Sequence, residues 1–543
     1  MSTLVCLPIV VSDAHAALED AMAARDLGAD LVEFRIDAWF EGLVEQSSDA
    51  APAVLDLVAR SELPCIVTCR PEWEGGEYHG DEDARVELFE RLLGDAAGPR
   101  YVDIELEAFK RTPGLKDRLA GCRRGDGCGL IVSMHDFDGR PADLSRRLAA
   151  AYGLGLGEVV KIAYRARSLR DNLELFEIVR GGHRPTIALG MGRFGLVSRV
   201  LAPKFGGFLS FASLRDSSAT APGQPTIADL LGLYRFRSIG RPTRVYGVVG
   251  WPIEHSMSPA IHNAGFEACG HDGVYLPLPV AAGDDAEDAW ASFKATIGAW
   301  IDDPTLDFAG ASVTLPHKEN LVRLAIERGY GLDDLSRLCG AGNTLVREDD
   351  GRWSVRNTDG PAAVDPLDEA LGGIAGKTVI VLGAGGAARA VVFELAMRHA
   401  IVIVCNRSAP RAERLAAEAN EKLGDDAEPV RTGSLDDGLA GDALINCTPV
   451  GMVGGPEGSP MTEAQLGSIA GLKVVEDTVY NPPETPLVKM ATNQMATNRG
   501  FRAFGGLEMF VRQAGAQFAA WTGEPAPTGL FERIVLEELR RKE

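Results

Sequence analysis

Eight short apolar runs, each rich in β-branched residues, recur between Leu4 and Phe211 of the 543-residue chain. They occupy residues 4–8, 31–34, 65–68, 101–106, 130–133, 159–163, 186–189 and 208–211. The segments between them carry helical periodicity, as where Val86, Phe89 and Leu93 fall on one face. Alternating strands and helices predict a parallel sheet, and eight repeats predict a closed (β/α)8 (TIM) barrel. An open, doubly wound sheet is the alternative.

Charged residues follow these runs at equivalent places. They are Glu33, Arg35, Asp37, Arg70, Asp103, Glu105, His135, Asp136 and Lys161. One such residue alone is more often part of a structural ion pair. In a barrel, however, the carboxyl ends of all strands meet at one mouth, where catalytic groups lie. The pattern therefore favours the barrel and predicts an active site at that mouth.

A lysine at such a mouth suits covalent catalysis on a ketone. The neutral amine of Lys161 can form an imine, and the protonated imine withdraws electrons from the adjacent carbon. His135 can move a proton at the activated position, because the pKa of histidine lies near neutrality. Later loops supply Arg199 and Gln224, which suit an anionic, hydroxylated ligand.

Several short motifs in this half occur together and in order. They are EFRID at 33–37, TCR at 68–70, EGGE at 74–77, SMHDF at 133–137, VKIA at 160–163 and MGRFGLVSR at 191–199. Over residues 1–237 the chain resembles the type I 3-dehydroquinate dehydratases. The resemblance implies that Lys161 forms the Schiff base and that His135 is the general acid/base, oriented by Glu74. It also implies a substrate-binding set of Glu33, Arg35, Arg70, Arg199, Thr220 and Gln224. Thr220 stands where this family usually has serine, so the hydroxyl is kept.

The second half begins after a short Gly- and Pro-containing linker at 238–243. A predicted strand at 377–382 runs into the glycine-rich loop Gly383, Ala384, Gly385, Gly386 and Ala387, and a helical segment follows. This order builds a pyrophosphate cradle at a helix N-terminus, although a bare glycine pattern is often only a tight turn.

The residues that follow the next predicted strand indicate which dinucleotide is bound. This strand ends in Asn406, Arg407 and Ser408, and Arg411 follows. An acidic residue at this place would grip the ribose of NAD, whereas arginine suits the 2′-phosphate of NADP. The sequence therefore predicts a Rossmann-type domain that binds NADP.

Polar residues ahead of this loop offer a second site. Ser256 and Ser258 flank a possible helix start, where hydroxyls either bind a carboxylate or cap the helix. Lys318 follows an apolar run, and Asp359 lies in an Asn-Thr-Asp-Gly turn. Each residue alone is more often a solvated polar side chain at the protein surface. Together, Lys318 and Asp359 form an acid/base pair for a hydroxyl that loses its proton during oxidation.

Over residues 244–543 these motifs resemble the shikimate dehydrogenases. The resemblance implies that Lys318 and Asp359 are catalytic. It also implies that the substrate contacts are Ser256, Ser258, Thr314, Asn343, Asp359, Tyr480 and Gln513. Gly506 falls in a matching Gly-Leu-Glu-Met motif and is assigned to the cofactor site. Two residues depart from the family pattern without removing a reacting group: Val355 replaces a common glycine and Cys447 a common alanine.

Composition restricts the class of protein. A formal charge of −22 opposes nucleic-acid and anionic-membrane partners, and no apolar stretch has the length of a bilayer. The nine cysteines are odd in number and lack C-x-x-C spacing, so we expect reduced thiols and no metal site. The first basic residue is Arg25, which argues against a leader peptide and predicts a cytoplasmic protein.

The two resemblances describe consecutive reactions, because the product of the dehydratase, 3-dehydroshikimate, is the substrate of the dehydrogenase. The sequence therefore predicts a fused α/β enzyme that uses 3-dehydroquinate, 3-dehydroshikimate, shikimate and NADP. The expected parts are a barrel at 1–237, a substrate-binding domain at 244–362 completed by helices at about 506–543, and a Rossmann domain at 363–505. The alternatives are a catabolic quinate/shikimate dehydrogenase and a non-catalytic, metabolite-binding regulator. Nothing in the sequence indicates an oligomeric state.

Overall fold

The computed structural model describes residues 2–46, 49–122, 127–218, 220, 223–495 and 502–542. It divides into two compact units, Met1–Thr243 and Arg244–Glu543. All nine cysteines are free thiols, and seven of them are buried. No helix in the described part of the chain is both long enough and apolar enough to cross a membrane.

The first unit is an eight-stranded parallel barrel. Its strands are β1 Leu4–Val10, β2 Leu31–Arg35, β3 Cys65–Thr68, β4 Tyr101–Glu105, β5 Gly129–Asp136, β6 Val159–Arg165, β7 Thr186–Met191 and β8 Leu209–Phe211. Each of the strands β1 to β6 pairs with the strand that follows it, and β8 pairs with β1. A backbone hydrogen bond of 2.9 Å from Phe208 N to Thr186 O leaves the barrel nearly closed. The predicted barrel is confirmed, since a doubly wound sheet would reverse its strand order.

Helices cover the outside of this barrel. They are α1 Ala14–Asp26, α2 Asp37–Gln46, α3 Ala51–Arg60, α4 Glu82–Gly94, α5 Ala108–Arg111, α6 Leu115–Cys122, α7 Leu144–Gly153, α8 Asp171–Gly181, α9 Leu196–Val200 and α10 Ala202–Phe205. In α4, the buried Val86, Phe89 and Leu93 form the face that the sequence pattern predicts. Asp81 caps this helix through a hydrogen bond from Ala84 N.

The second unit contains two six-stranded sheets. The first is formed by β9 Arg244–Gly250, β10 Gly273–Pro279, β11 Phe308–Val313, β12 Gly331–Leu332, β13 Thr344–Arg347 and β14 Trp353–Arg356, in the order β10-β9-β11-β13-β14-β12. Its helices are α11 Ser258–Cys269, α12 Ala286–Asp302, α13 Lys318–Arg328 and α14 Asp334–Cys339, and α15 Asp359–Leu371 follows.

The second sheet is parallel and has the strand order of a dinucleotide-binding fold. Its strands are β15 Thr378–Leu382, β16 Ile401–Cys405, β17 Arg431–Thr432, β18 Ala443–Asn446, β19 Val474–Asp477 and β20 Arg502–Phe504, in the order β17-β16-β15-β18-β19-β20. The accompanying helices are α16 Gly386–Met397, α17 Ala409–Leu423, α18 Glu463–Ser468 and α19 Pro486–Met495. The predicted Rossmann-type fold is confirmed.

The last two helices of the chain, α20 Gly506–Thr522 and α21 Thr528–Lys542, return to the first sheet of this unit. Phe518 of α20 and Phe531 of α21 share one apolar cluster with Tyr246 of β9 and Phe266 of α11. Burying these large rings fixes the C-terminal helices against the first sheet. Gln513 is thereby carried to that side of the unit.

Candidate active sites

A cavity opens at the carboxyl end of the barrel. Every residue predicted for the first site lines it, namely Glu33, Arg35, Arg70, Glu74, His135, Lys161, Arg199, Thr220 and Gln224. They meet because parallel pairing puts the strand ends side by side. For example, Lys161 of β6 is in register with Ser133 of β5 and Ile187 of β7.

Lys161 is buried within an ion-pair network. Its Nζ lies 2.9 Å from Oδ2 of Asp103, 3.5 Å from Oε1 of Glu33, and 4.7 Å from the centre of the Phe211 ring. Asp103 also accepts hydrogen bonds from Arg70 and from Ser133 Oγ. Burial alone would raise the pKa of Asp103, but Arg70 and Lys161 more than offset it and hold that pKa below its usual value.

Arg70 lines the cavity, but its guanidinium also hydrogen-bonds to side chains of the protein. Its guanidinium donates to Asp103 at 3.0 Å, to Glu105 at 2.7 Å and to Ser133 Oγ at 2.9 Å. Arg85 of α4 donates to the other oxygen of Glu105. The strand-end pattern includes Asp103 and Glu105, but neither they nor Ser133 were assigned a catalytic or substrate-binding role.

His135 and Glu74 form the contact that the resemblance implies. Oε1 of Glu74 accepts a 2.7 Å hydrogen bond from His135 N and lies 3.4 Å from its Nδ1. Burial, with Arg70 and Lys161 adding like charge, lowers the pKa of His135 well below its usual value. Burial also raises the pKa of Glu74 to about 7. The imidazole is therefore neutral near pH 7 and able to accept a proton.

Two buried donors of the cavity lack a partner among the described residues: Arg199 Nε and Gln224 Nε2. Oε1 of Gln224 is held by Thr220, whose N lies 3.1 Å away, so the amide NH2 group is the free end. Burial lowers the pKa of Arg199 to about 10. Buried donors without acceptors are costly, so these two atoms predict a ligand that brings anionic or hydroxyl oxygens.

The second predicted site centres on a contact between Lys318 and Asp359. Lys318 begins α13 and Asp359 begins α15, and Nζ lies 2.6 Å from Oδ2. Asn343 donates to Oδ1 of Asp359 at 2.8 Å, and Asn357 Oδ1 accepts from Asp359 N at 3.0 Å. The carboxylate is thus oriented on both oxygens, as an acid/base pair requires.

The other predicted substrate residues are not bonded to this pair. Among the described residues, no hydrogen bond joins Ser256, Ser258, Thr314, Tyr480 or Gln513 to Lys318 or Asp359. Ser256 Oγ accepts a 3.3 Å hydrogen bond from the backbone N of the buried Ser258. Thr314, Tyr480 and Gln513 are half-buried.

A buried hydrogen-bond chain that the sequence did not predict links Ser258 towards Asn343. The Tyr275 hydroxyl contacts Ser258 and hydrogen-bonds to Ser312 Oγ. Ser312 Oγ donates to Gln517 Oε1 at 3.1 Å, and Gln517 Nε2 donates to Asn343 O at 3.3 Å. All five side chains are buried. The only sequence signal was that Gln517 lies one helical turn beyond Gln513.

The glycine-rich loop has the geometry of a phosphate cradle. Gly383 has φ +113°, and a Cβ there would press on the carbonyl oxygen of Cys447 at 3.2 Å. At Gly385 and Gly386 an added Cβ would meet open space. Their backbone N–H groups stand at the start of α16, so a pyrophosphate can approach closely.

The remaining predicted cofactor residues lie in two places. Arg407, Ser408 and Arg411 are exposed after β16, and Asn406 Nδ2 donates to Ser408 O at 2.9 Å. Gly506 begins α20 and is buried against the carbonyl of Thr478, where a Cβ does not fit. The two arginines therefore carry positive charge beyond the second strand of the sheet, where a ribose phosphate would be bound.

Comparison with known proteins agrees with both halves. The model for type I 3-dehydroquinase matches residues 5–241, and that for the shikimate dehydrogenase substrate binding domain matches 248–345. The model for shikimate/quinate 5-dehydrogenase matches 367–439, and that for the shikimate 5'-dehydrogenase C-terminal domain matches 506–536.

One relative extends this agreement to nearly the whole chain. The chloroplastic bifunctional 3-dehydroquinate dehydratase/shikimate dehydrogenase of Arabidopsis thaliana is 35% identical over 98% of this chain and 84% of its own length. A shikimate dehydrogenase (NADP(+)) of Methanopyrus kandleri is 37% identical over 56% of this chain and 98% of its own. A crystal structure of a shikimate dehydrogenase in complex with NADP+ has 33% identity and a TM-score of 0.47, and covers 55% of this chain and 97% of its own. The chain belongs to the family of bifunctional 3-dehydroquinate dehydratase/shikimate dehydrogenases.

Proposed function

We propose that the first unit dehydrates 3-dehydroquinate to 3-dehydroshikimate and that the second reduces 3-dehydroshikimate to shikimate with NADPH. The observation that carries this proposal is that each unit brings its own reacting groups together. Lys161 lies in one cavity with His135, and Lys318 is ion-paired with Asp359. The product of the first reaction is the substrate of the second, which gives one chain a reason to hold both.

In the dehydration, the amine of Lys161 attacks the ketone and water leaves as the imine forms. The protonated imine draws electrons from the adjacent carbon, where neutral His135 accepts a proton. The hydroxyl on the next carbon takes up a proton and leaves as water. Hydrolysis of the imine then releases 3-dehydroshikimate and restores the lysine. Arg199 and Gln224 are placed to hold the substrate carboxylate and hydroxyls through their free donors.

In the reduction, Lys318 and Asp359 supply the proton that turns the ketone oxygen into a hydroxyl. Asn343 orients Asp359, and Ser256 and Ser258 are assigned to the substrate carboxylate. Thr314, Tyr480 and Gln513 complete the assigned substrate contacts. The chemistry that NADPH supplies when bound is hydride donation to the ketone carbon.

The cofactor assignment rests on the open loop Gly383–Ala387 and on Arg407 beyond β16. We expect Arg407→Ala to raise KM for NADPH about tenfold with little change in kcat, since a charge-assisted contact to a 2′-phosphate is uniform binding. Steady-state kinetics with NADPH and NADH measure this. Arg414→Ala, at an exposed position of α17, is the matched control. An unchanged KM for NADPH in Arg407→Ala would contradict the assignment.

The experiment that tests the whole proposal mixes the protein and NADPH with 3-dehydroquinate alone. We expect steady loss of NADPH fluorescence, because the second reaction consumes the product of the first. If no loss occurs, 3-dehydroshikimate replaces 3-dehydroquinate, and its reduction would place the failure in the barrel. Inactivity towards both compounds would favour the metabolite-binding regulator. Faster oxidation of quinate with NAD would favour the catabolic dehydrogenase.

We further propose the domain bounds predicted above, with the substrate-binding domain at 244–362 joined by about 506–543 and the Rossmann domain at 363–505. The packing of α20 and α21 against the first sheet supports this division. A cytoplasmic location stays a prediction.

A further inference from the structure

A second cleft lies beside the cavity of Lys161 at the carboxyl end of the barrel. We call it the arginine cleft, and its lining includes Phe137, Asp138, Arg165, Arg167, Met191 and Arg193. It contains three cations and one carboxylate, whereas the protein as a whole carries a formal charge of −22. The cleft is therefore a local positive region on an acidic protein.

The arginine cleft adjoins the cavity directly. Phe137 and Met191 line both of them, so these two side chains form the shared wall. Residues Lys161, Ala163 and Arg165 alternate along β6 and point to the same face of the barrel sheet. At a rise of about 3.3 Å per residue, Arg165 lies about 13 Å beyond Lys161 along the strand. The strand thus leads from the cleft to the reacting lysine.

Two of the three arginines of this cleft, Arg165 and Arg167, are poorly neutralised. Arg165 is exposed, and its guanidinium makes no hydrogen bond or ion pair with any residue that the structure describes. The nearest carboxylate to Arg167 is that of Asp171, at 3.9 Å, and the Arg167 side chain is 63% exposed. In the cavity, by contrast, Arg35 and Arg70 each have a carboxylate within 2.7 Å.

We propose that the arginine cleft is an entry site that attracts the carboxylate of the incoming substrate before it reaches Arg199. The inference rests on the proposed function, in which that substrate is the anion 3-dehydroquinate. A net charge of −22 repels such an anion at long range, whereas the arginines of the cleft attract it locally, beside the mouth. Because Arg165 is out of bonding reach of Lys161, the cleft acts on capture and not on the chemical steps.

The double variant Arg165→Gln/Arg167→Gln tests this assignment. At low ionic strength we expect kcat/KM for dehydration to fall about three- to tenfold while kcat is unchanged. Raising the salt concentration should lower kcat/KM of the unaltered protein towards that of the variant, because the Debye length shortens to about 10 Å at 0.1 M. The double variant Arg165→Lys/Arg167→Lys should retain most of the effect, since steering needs only the charge.

Arg60→Gln is the matched control. Arg60 is 52% exposed and ends α3, ahead of the amino end of β3 and so at the opposite end of the barrel. The Arg60→Gln substitution removes one positive charge, as each substitution of the double variant does. We expect kcat/KM of Arg60→Gln to stay within about twofold of the value for the unaltered protein. A double variant with unchanged kcat/KM and salt dependence would overturn the entry site, as would a fall in kcat. An unaltered protein that fails to dehydrate 3-dehydroquinate would instead overturn the proposed function.

Discussion

Lys161 stands between two carboxylates, and this decides what must happen before it reacts. Its Nζ is 2.9 Å from Asp103, which Arg70 also holds in its ionised form. An amine attacks a ketone only in its neutral form, so Nζ must be unprotonated at the moment of attack. His135, which burial keeps neutral by lowering its pKa, lies in the same cavity.

We expect sodium borohydride with 3-dehydroquinate to leave a stable adduct on Lys161, because reduction turns the imine into a secondary amine. Peptide mass spectrometry locates the modified lysine. Lys161→Arg keeps the charge beside Asp103 but cannot form the imine, so this variant should remain unmodified. An adduct on a different peptide would refute the imine assignment.

The carboxyl of Glu74 gives a prediction about stability. Its folded pKa, about 7, lies above the unfolded value of about 4.3. The carboxyl therefore makes its full contribution to the free energy of unfolding below about pH 4, and that contribution is lost as the pH rises to 7. Glu74→Gln cannot ionise, so we expect it to be more stable than the unaltered protein at pH 8, on the order of 2–3 kcal/mol.

Calorimetric melting at pH 4 and pH 8 measures this difference. The two proteins should melt alike at pH 4, where Glu74 is protonated in both folded and unfolded chains. A stability difference between the two proteins that is the same at both pH values would show that the fold does not raise the pKa of Glu74.

At the scale of elements, a buried hydrogen-bond chain joins α11, β10, β11 and α20. The Tyr275 hydroxyl lies between Ser258 and Ser312, and Gln517 continues the chain to Asn343. Because each link is buried and made between different elements, the chain holds Ser258 in a set position relative to Asn343.

We expect Tyr275→Phe to raise KM for 3-dehydroshikimate about five- to tenfold, with a smaller change in kcat, because losing one buried hydrogen bond costs about 1–1.5 kcal/mol. Steady-state kinetics of the reduction measure this. Tyr246→Phe is the control: Tyr246 is equally buried, but its hydroxyl bonds to His271, 3.0 Å away. Equal changes in both variants would mean that Tyr275 acts only through packing.

At the scale of the whole molecule, each site is built from residues of one unit. The first cavity uses only residues of Met1–Thr243, and the Lys318–Asp359 pair belongs to Arg244–Glu543. Neither reaction therefore needs a reacting group from the other unit.

We expect Lys318→Ala to lower the rate of 3-dehydroshikimate reduction at least about a hundredfold, as the loss of a general acid does, and to leave dehydration within about twofold. His135→Ala should show the reverse pattern. Absorbance assays of each half-reaction, run separately, measure both variants. Loss of both activities in Lys318→Ala would show that the units are not independent.

Much of this architecture was predictable from the sequence, because its causes are local and repeated. The eight apolar runs predict the eight strands, and the charged residues after them predict the lining of the cavity, since parallel strands bring their carboxyl ends together. The strand, glycine-rich turn and helix around Gly383 are likewise contiguous in sequence. For such features, periodicity and turn chemistry are sufficient.

Only the tertiary structure decided which groups touch. Asp103 meets Lys161 across 58 residues of sequence, and Gln517 meets Asn343 across 174. No local sequence pattern predicts contacts between residues so far apart in sequence, because such contacts depend on strand register and helix packing. The sequence by itself determined where the reacting groups stand along the chain. The fold decided their neighbours, and through charge and burial those neighbours decide which groups are neutral, which donors are free and which arginines remain open to an incoming anion.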